Sequence, residues 1–192
     1  MPASKVTVEA TFVEAITEPT FSDVPADAYY FTPVERAVKN GITSATSATT
    51  FSPNAACTRA QAVTFLWRAA GSPAPVSTEM PLTDVTAGTY YYDVVLWAVE
   101  NGITSGTSAT TFAPDAVCTR AQIVTFLWRS QSTPSADILN PFADVAVDAY
   151  YNKPVLWAVE NGITAGTSAT TFSPNADCTR AQIVTFLYRS KQ

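Results

Sequence analysis

Three short stretches hold the residues whose types and spacing suggest chemistry: CTRAQ at 57–61, at 118–122 and at 178–182. Each puts a thiol, a hydroxyl, a guanidinium and an amide within one turn of chain. Cys57 and Gln61 lie four positions apart, as an internal thioester would require. Three thiolates at Cys57, Cys118 and Cys178 are a conceivable metal set, but three separate helix starts would have to converge to form it. A plainer reading covers both residues: each cysteine is a small buried hydrophobe just ahead of a helix, and each glutamine caps that helix. Three cysteines in equivalent positions cannot close a disulfide framework. The arginines resist such a plain reading. If Thr58, Thr119 and Thr179 open helices, then Arg59, Arg120 and Arg180 fall in the first turn, where the helix dipole repels a cation. The chain has only seven arginines and puts three of them there.

Composition removes several alternatives. The 192 residues are 47% hydrophobic and 14% charged, with a net charge of −5. That describes an ordered globular chain, and it excludes nucleic acid as a partner, since phosphate backbones need a basic surface. There is no histidine. The commonest general base and the commonest metal ligand are therefore missing. With no paired-carboxylate motif and no cysteine beside a basic partner, we expect no enzyme, no metal and no cofactor. No apolar run is long enough to span a bilayer, so membrane insertion is not expected. The opening stretch MPASKVTVEATF lacks the apolar core of a signal peptide; for an exported protein that signal would lie on a part not included in this sequence.

The elements that must position these residues recur as a unit. Repeats run over 21–71, 82–131 and 142–190. They are separated by AAGSPAPVSTEMP and SQSTPSADILNP, which have linker composition. Each unit begins with an Asp (Asp23, Asp84, Asp144) and an aromatic pair or triple. A helix follows: PVERAVKN, VVLWAVEN or PVLWAVEN. Val34, Ala37 and Val38 give it one apolar face, and Asn-Gly ends it with a left-handed cap. A Ser/Thr-rich loop then closes on Phe-x-Pro. The second helix starts at Thr, with Gln three residues on, the pattern of a capping box. Its body is apolar nearly all round (Ile123, Val124, Phe126, Leu127, Trp128), so it is buried. Three such helices share one core most simply by packing together with pseudo-threefold symmetry. Arg68, Arg129 and Arg189 end these helices, where a cation is favoured, and their role reads as structural. The stretch MPASKVTVEATF (1–12) alternates like a strand, and residues 1–20 read as the end of an upstream β-rich region or linker.

The string Asp-Val, aromatic, helix, Gly-Ile, Phe-x-Pro, Thr-Arg-Ala-Gln resembles the S-layer homology domain, in all three copies across about residues 21–190. Residues 1–20 resemble the last strand of the small β-rich repeats of large bacterial surface proteins. The resemblance implies a mainly α fold, a three-pronged spindle around a central bundle of the second helices. It implies an extracellular module at the cell wall, monomeric as a fragment of a larger surface protein. Such a module holds an exported protein on the Gram-positive envelope without a covalent bond. Its partner is an anionic, pyruvylated secondary cell wall polymer, bound in grooves between repeats. A glycan-binding adhesin that recognises host or mucin sugars is the alternative.

Carried over by motif, the binding arginines are Arg59, Arg120 and Arg180, which would grip the ketal carboxylate together with free helix N–H groups. Burial in pairs with Asp23, Asp84 or Asp144 is the competing role; Asp84 and Asp144 also stand as site candidates. Tyr29, Tyr90 and Tyr150 offer sugar-stacking faces, widened by Tyr30, Tyr91 and Tyr151. Trp97 and Trp157 are either core or groove wall. Gly106 and Gly166 would let backbone N–H groups approach a ligand. The sequence also departs from the family pattern. Gln replaces the usual Glu of Thr-Arg-Ala-Glu, and the loop lacks Asp-Gly. Repeat one has Ala45 and Arg36 where the others have Gly and Trp. The expected principal groove therefore lies between repeats two and three.

Overall fold

The computed structural model describes residues 19–191. The strand expected in 1–12 lies outside them. Among the described residues six helices follow one another: α1 (Phe31–Lys39), α2 (Arg59–Ala69), α3 (Tyr92–Glu100), α4 (Arg120–Ser130), α5 (Asn152–Glu160) and α6 (Arg180–Arg189), two to a repeat. The fold is mainly α, as expected.

Local sequence fixes both ends of these helices. In α2 the Thr58 hydroxyl accepts the Gln61 N–H at 3.2 Å, and the Gln61 amide oxygen accepts the Thr58 N–H at 3.0 Å. The same capping box opens α4 and α6. A neutral Gln performs this exchange as a Glu would. That engagement holds the Gln61 side chain in the box, the capping role expected for it. The first helix of each repeat ends at a glycine with positive φ, for example Gly102 at +67°, which lets the Ile103 N–H fold back onto the Ala98 carbonyl.

The second helices α2, α4 and α6 touch one another and form the central bundle. Val63, Val124 and Val184 are buried in it, along with Leu66, Leu127 and Leu187. Each bundle helix also packs on the first helix of the next repeat: α2 on α3, α4 on α5, and α6 back on α1. The chain therefore closes into a ring of repeats.

The ring is sealed by backbone. The Cys57 N–H donates to the Cys178 carbonyl, Cys118 to Cys57, and Cys178 to Cys118, at 2.8–3.1 Å. Antiparallel bridges Ala56↔Thr179, Thr58↔Val117 and Thr119↔Asp177 flank this triangle. All three thiols are free and buried. Burial pushes the Cys57 thiol up to about 11 and Cys118 to about 12, and raises Cys178 further. They stay protonated and inert at neutral pH, and among the described residues they form no metal-binding group.

A second device shapes the loops. Asp84 accepts the Phe112 N–H at 2.7 Å on one oxygen and the Ala113 N–H at 2.6 Å on the other. Asp23 and Asp144 hold Phe51–Ser52 and Phe172–Ser173 in the same way. The clamped residues Ser52, Ala113 and Ser173 have φ of +59°, +57° and +58°. This backbone is costly for a residue with a Cβ, and the carboxylate offsets that cost.

Candidate functional site: the arginine grooves

Each first-turn arginine leaves its own repeat and enters the next. The Arg59 Nε donates to the Phe112 carbonyl at 2.8 Å, Arg120 to Phe172 at 3.0 Å, and Arg180 to Phe51 at 2.9 Å. The guanidinium of Arg59 lies 4.7 Å from the centre of the Phe112 ring and 5.4 Å from that of Phe126. The other two are sandwiched alike. Arg59, Arg120 and Arg180 are only 2%, 4% and 8% exposed. Burial lowers their pKa values, yet an arginine stays charged throughout the physiological range.

These contacts explain a cation at the wrong end of a helix. A carbonyl and two ring faces stabilise it locally. Asp84 holds the N–H of the same Phe112 whose carbonyl Arg59 takes. The expected Arg–Asp pairing is thus indirect, with one residue at each end of a clamped turn. The expected free helix N–H groups are not there. The Arg59 N–H donates to the Ala116 carbonyl at 2.8 Å and the Ala60 N–H to Pro114 at 3.0 Å. The Gln61 N–H is taken by the Thr58 hydroxyl. The neighbouring repeat therefore occupies the helix N-terminus, and the same holds for α4 and α6.

The Nη2 atoms of Arg59 and Arg120 are buried and have no hydrogen-bond partner among the described residues. Each of these two arginines lines a groove. The first, about 340 Å³, takes Arg59 from repeat one, the loop Thr104–Thr107 and α4 from repeat two, and Tyr150 from repeat three. The second, about 350 Å³, takes Arg120, the loop Thr164–Thr167, α6 and Tyr29. Tyr150 and Tyr29 are 59% and 60% exposed. Each is braced edge-on by Tyr151 or Tyr30 at 5.0 Å. Tyr90 is as exposed.

The third position differs. The Arg180 Nη2 donates to the Ser44 carbonyl at 2.7 Å and reaches the Thr43 hydroxyl at 3.5 Å. The loop of repeat one causes this. Gly106 and Gly166 have φ of +89° and +82°. A Cβ on Gly106 would collide with the Thr111 carbonyl and sit 2.7 Å from the Ser108 carbonyl; on Gly166 it would sit 2.6 Å from the Phe142 ring. Ala45 cannot copy that path and has no positive φ. Its loop turns a carbonyl onto Arg180 instead.

Several expectations are corrected by this geometry. Trp97 and Trp157 are core residues, 8% and 6% exposed, and line neither arginine groove, because α3 and α5 turn them inward onto the bundle. Asp84 and Asp144 are loop clamps and likewise line neither groove. Gly106 and Gly166 do line the grooves, but for the loop's own sake; the Gly106 N–H is already held by the Thr104 hydroxyl. The arginine that meets Ala45's loop is Arg180, not Arg59, because each arginine serves the following repeat. Every groove draws on all three repeats, so none lies simply between repeats two and three.

Arg129 and Arg189, read from sequence as helix-end residues only, line the first and second grooves. The signal for them was present: Gln122, Thr125, Phe126 and Arg129 lie at i, i+3, i+4 and i+7 on α4, one continuous stripe. Each groove therefore holds two arginines and no acidic side chain among its lining residues.

Residues 20–63, 81–124 and 141–184 match the S-layer homology domain family. The chain is 32% identical over 161 residues to a surface-layer 125 kDa protein of Lysinibacillus sphaericus, across 82% of this chain and 14% of that protein. It is 32% identical over 114 residues to an endoglucanase of Bacillus sp. (strain KSM-635), across 59% of this chain and 12% of that enzyme. The chain spans only a small part of either relative. Among the described residues, no helix is long and apolar enough to cross a membrane.

Proposed function

From the premise that this chain belongs to the S-layer homology domain family, we propose that its Arg59 and Arg120 grooves hold an anionic, pyruvylated wall polysaccharide. They thereby anchor an exported protein to the Gram-positive envelope. Family membership makes the chain a cell-surface anchoring module. The observation that supports the finer reading is that Arg59 and Arg120, which line two open grooves, each keep a buried Nη2 without a partner among the described residues. A carboxylate there accepts the N–H that nothing else takes, and Arg129 or Arg189 adds a second donor. Tyr150 and Tyr29 offer apolar faces for the C–H side of a sugar ring. Charge-assisted bonds of this kind contribute about 1.5–3 kcal/mol each. Arg180 supplies its own acceptor through Ser44, so we count two sites, not three. One relative is a surface-layer protein and another an endoglucanase; we infer that the module serves whatever protein carries it, and that any activity of that protein belongs to its other parts.

The test is sedimentation with purified Gram-positive walls, before and after chemical removal of the secondary polymer. Binding is expected to disappear with the polymer. Binding that survives removal, or that appears on mucin instead of walls, would overturn the proposal.

A further inference from the structure

A further cavity lies at the other end of the central bundle. It measures about 580 Å³, between α1 and α6 with the C-terminal end of α2. Its position is set by two coupled departures from the repeat pattern. On the first helix, Arg36 stands where repeats two and three have Trp97 and Trp157. On the facing bundle helix, Tyr188 stands where α2 and α4 have Trp67 and Trp128. The corresponding space beside Trp97 is smaller, about 250 Å³. Removing an indole from α1 thus enlarges the cavity and brings a charge into it.

Arg36, Arg68 and Lys191 line the cavity, and no acidic side chain does so among the described residues. The Arg36 Nε is buried and without a hydrogen-bond partner among the described residues. Its guanidinium rests 5.9 Å from the centre of the Tyr188 ring. Lys191 donates to the Ala69 carbonyl at the end of α2, which holds the ammonium at the rim. The remaining wall is apolar, with Ile42, Val184 and Leu187. In a chain of net charge −5, three cations around one hollow with an orphaned buried N–H form a site for an anion.

We propose that this cavity binds a phosphate monoester carried on a small polyol or sugar. Three cations call for more than one negative charge; a phosphate monoester carries about −1.5 to −2 at neutral pH, whereas a single carboxylate carries one. Arg36 and Arg68 bind the phosphate oxygens, and the carbon skeleton lies over Tyr188 and the apolar wall. This site is chemically and spatially separate from the arginine grooves and does not depend on their ligand.

The test is an NMR titration of the full chain with glycerol 3-phosphate, with sulfate at equal ionic strength as control. We expect saturable shifts at the Arg36, Tyr188 and Gly71 amides, half-saturating at about 1 mM or below, and weaker effects of sulfate. Arg36→Trp restores the residue of the other two repeats; it should fill the cavity and abolish the shifts while keeping the melting temperature. Arg68→Gln should weaken binding about tenfold. Lys153→Gln, which removes one positive charge on α5, should leave it unchanged. A poly(glycerol phosphate) chain, whose internal groups are singly charged diesters, should bind less tightly per phosphate than the free monoester. The proposal is overturned by shifts that do not saturate, by binding that survives Arg36→Trp, by an equal effect of Lys153→Gln, or by tighter binding of the diester chain. Wall sedimentation of Arg36→Trp should match wild type, so failure here leaves the groove reading standing.

Discussion

Arg59 carries a full charge at 2% exposure, and what surrounds it sets its two roles. Its Nε is committed to the fold through the Phe112 carbonyl, while its Nη2 has no partner among the described residues and is the donor we propose for a ligand. Arg180 has both roles filled by protein. Arg59→Ala and Arg120→Ala should therefore each weaken wall binding about tenfold or more, whereas Arg180→Ala should lower the melting temperature with little loss of binding. Equal binding losses for all three in a sedimentation assay would contradict that division. Asp84 yields a second expectation at this scale. Desolvation raises its pKa, but the Phe112 and Ala113 N–H bonds and the nearby Arg59 outweigh it, holding the carboxyl below its ordinary value. A depressed folded pKa means stability that is present above about 3.9, the unfolded value, and is lost as pH falls through the folded one. Urea midpoints should thus fall more steeply below pH 4 in wild type than in Asp84→Asn. Because Asp84 is partly solvated, the Asn variant should lose only about 1 kcal/mol at pH 7.

Among the elements, the loop after each first helix decides how many grooves are open. Gly106 and Gly166 permit a turn that keeps the loop carbonyls off the arginine, and Ala45 forces the other path. Ala45→Gly should therefore release the Arg180 Nη2 and raise the stoichiometry from two to three in calorimetry with a pyruvylated sugar. Gly106→Ala should lower it to one and cost about 1 kcal/mol or more in stability, since an L-residue is strained at that φ. A stoichiometry unmoved by Ala45→Gly would show that the loop does not gate the third position. The bundle helices carry the other half of each groove, with their polar stripe facing out and Val, Ile and Leu facing in.

For the molecule as a whole, the ring of repeats is the unit of stability. Every bundle helix starts on carbonyls of a neighbouring repeat, and the cysteine triangle closes only with all three present. A chain ending after residue 131 loses the Ala176 and Pro174 carbonyls that cap α4, the Phe172 carbonyl under Arg120, and one corner of the triangle. We expect it to unfold without a cooperative transition and its Cys57 and Cys118 to react readily with a thiol reagent at pH 8. In the intact protein all three thiols should stay silent until global unfolding, since burial keeps them protonated. A truncated chain that melts cooperatively with protected thiols would refute ring closure as the source of stability.

The repeat, the capping boxes, the Asn-Gly helix ends, the buried second helices and the family they compose were all legible in the sequence. Each is a local signal, set by spacing over a few residues or by recurrence over about sixty. Partnership between repeats was not legible. Arg59 meets Phe112 across 53 positions and Arg180 meets Phe51 across 129. A near-identical repeat reads the same whether an arginine serves its own loop or the next. Only closure of the ring chose the next, and so assigned Ala45 to Arg180. The same limit hid the roles of Asp84 and Trp97, because their neighbours come from distant chain. An Asp that clamps two backbone N–H groups and an Asp that pairs with an arginine have the same sequence around them. Tertiary contact decides between them, since it determines which donors reach the carboxylate first.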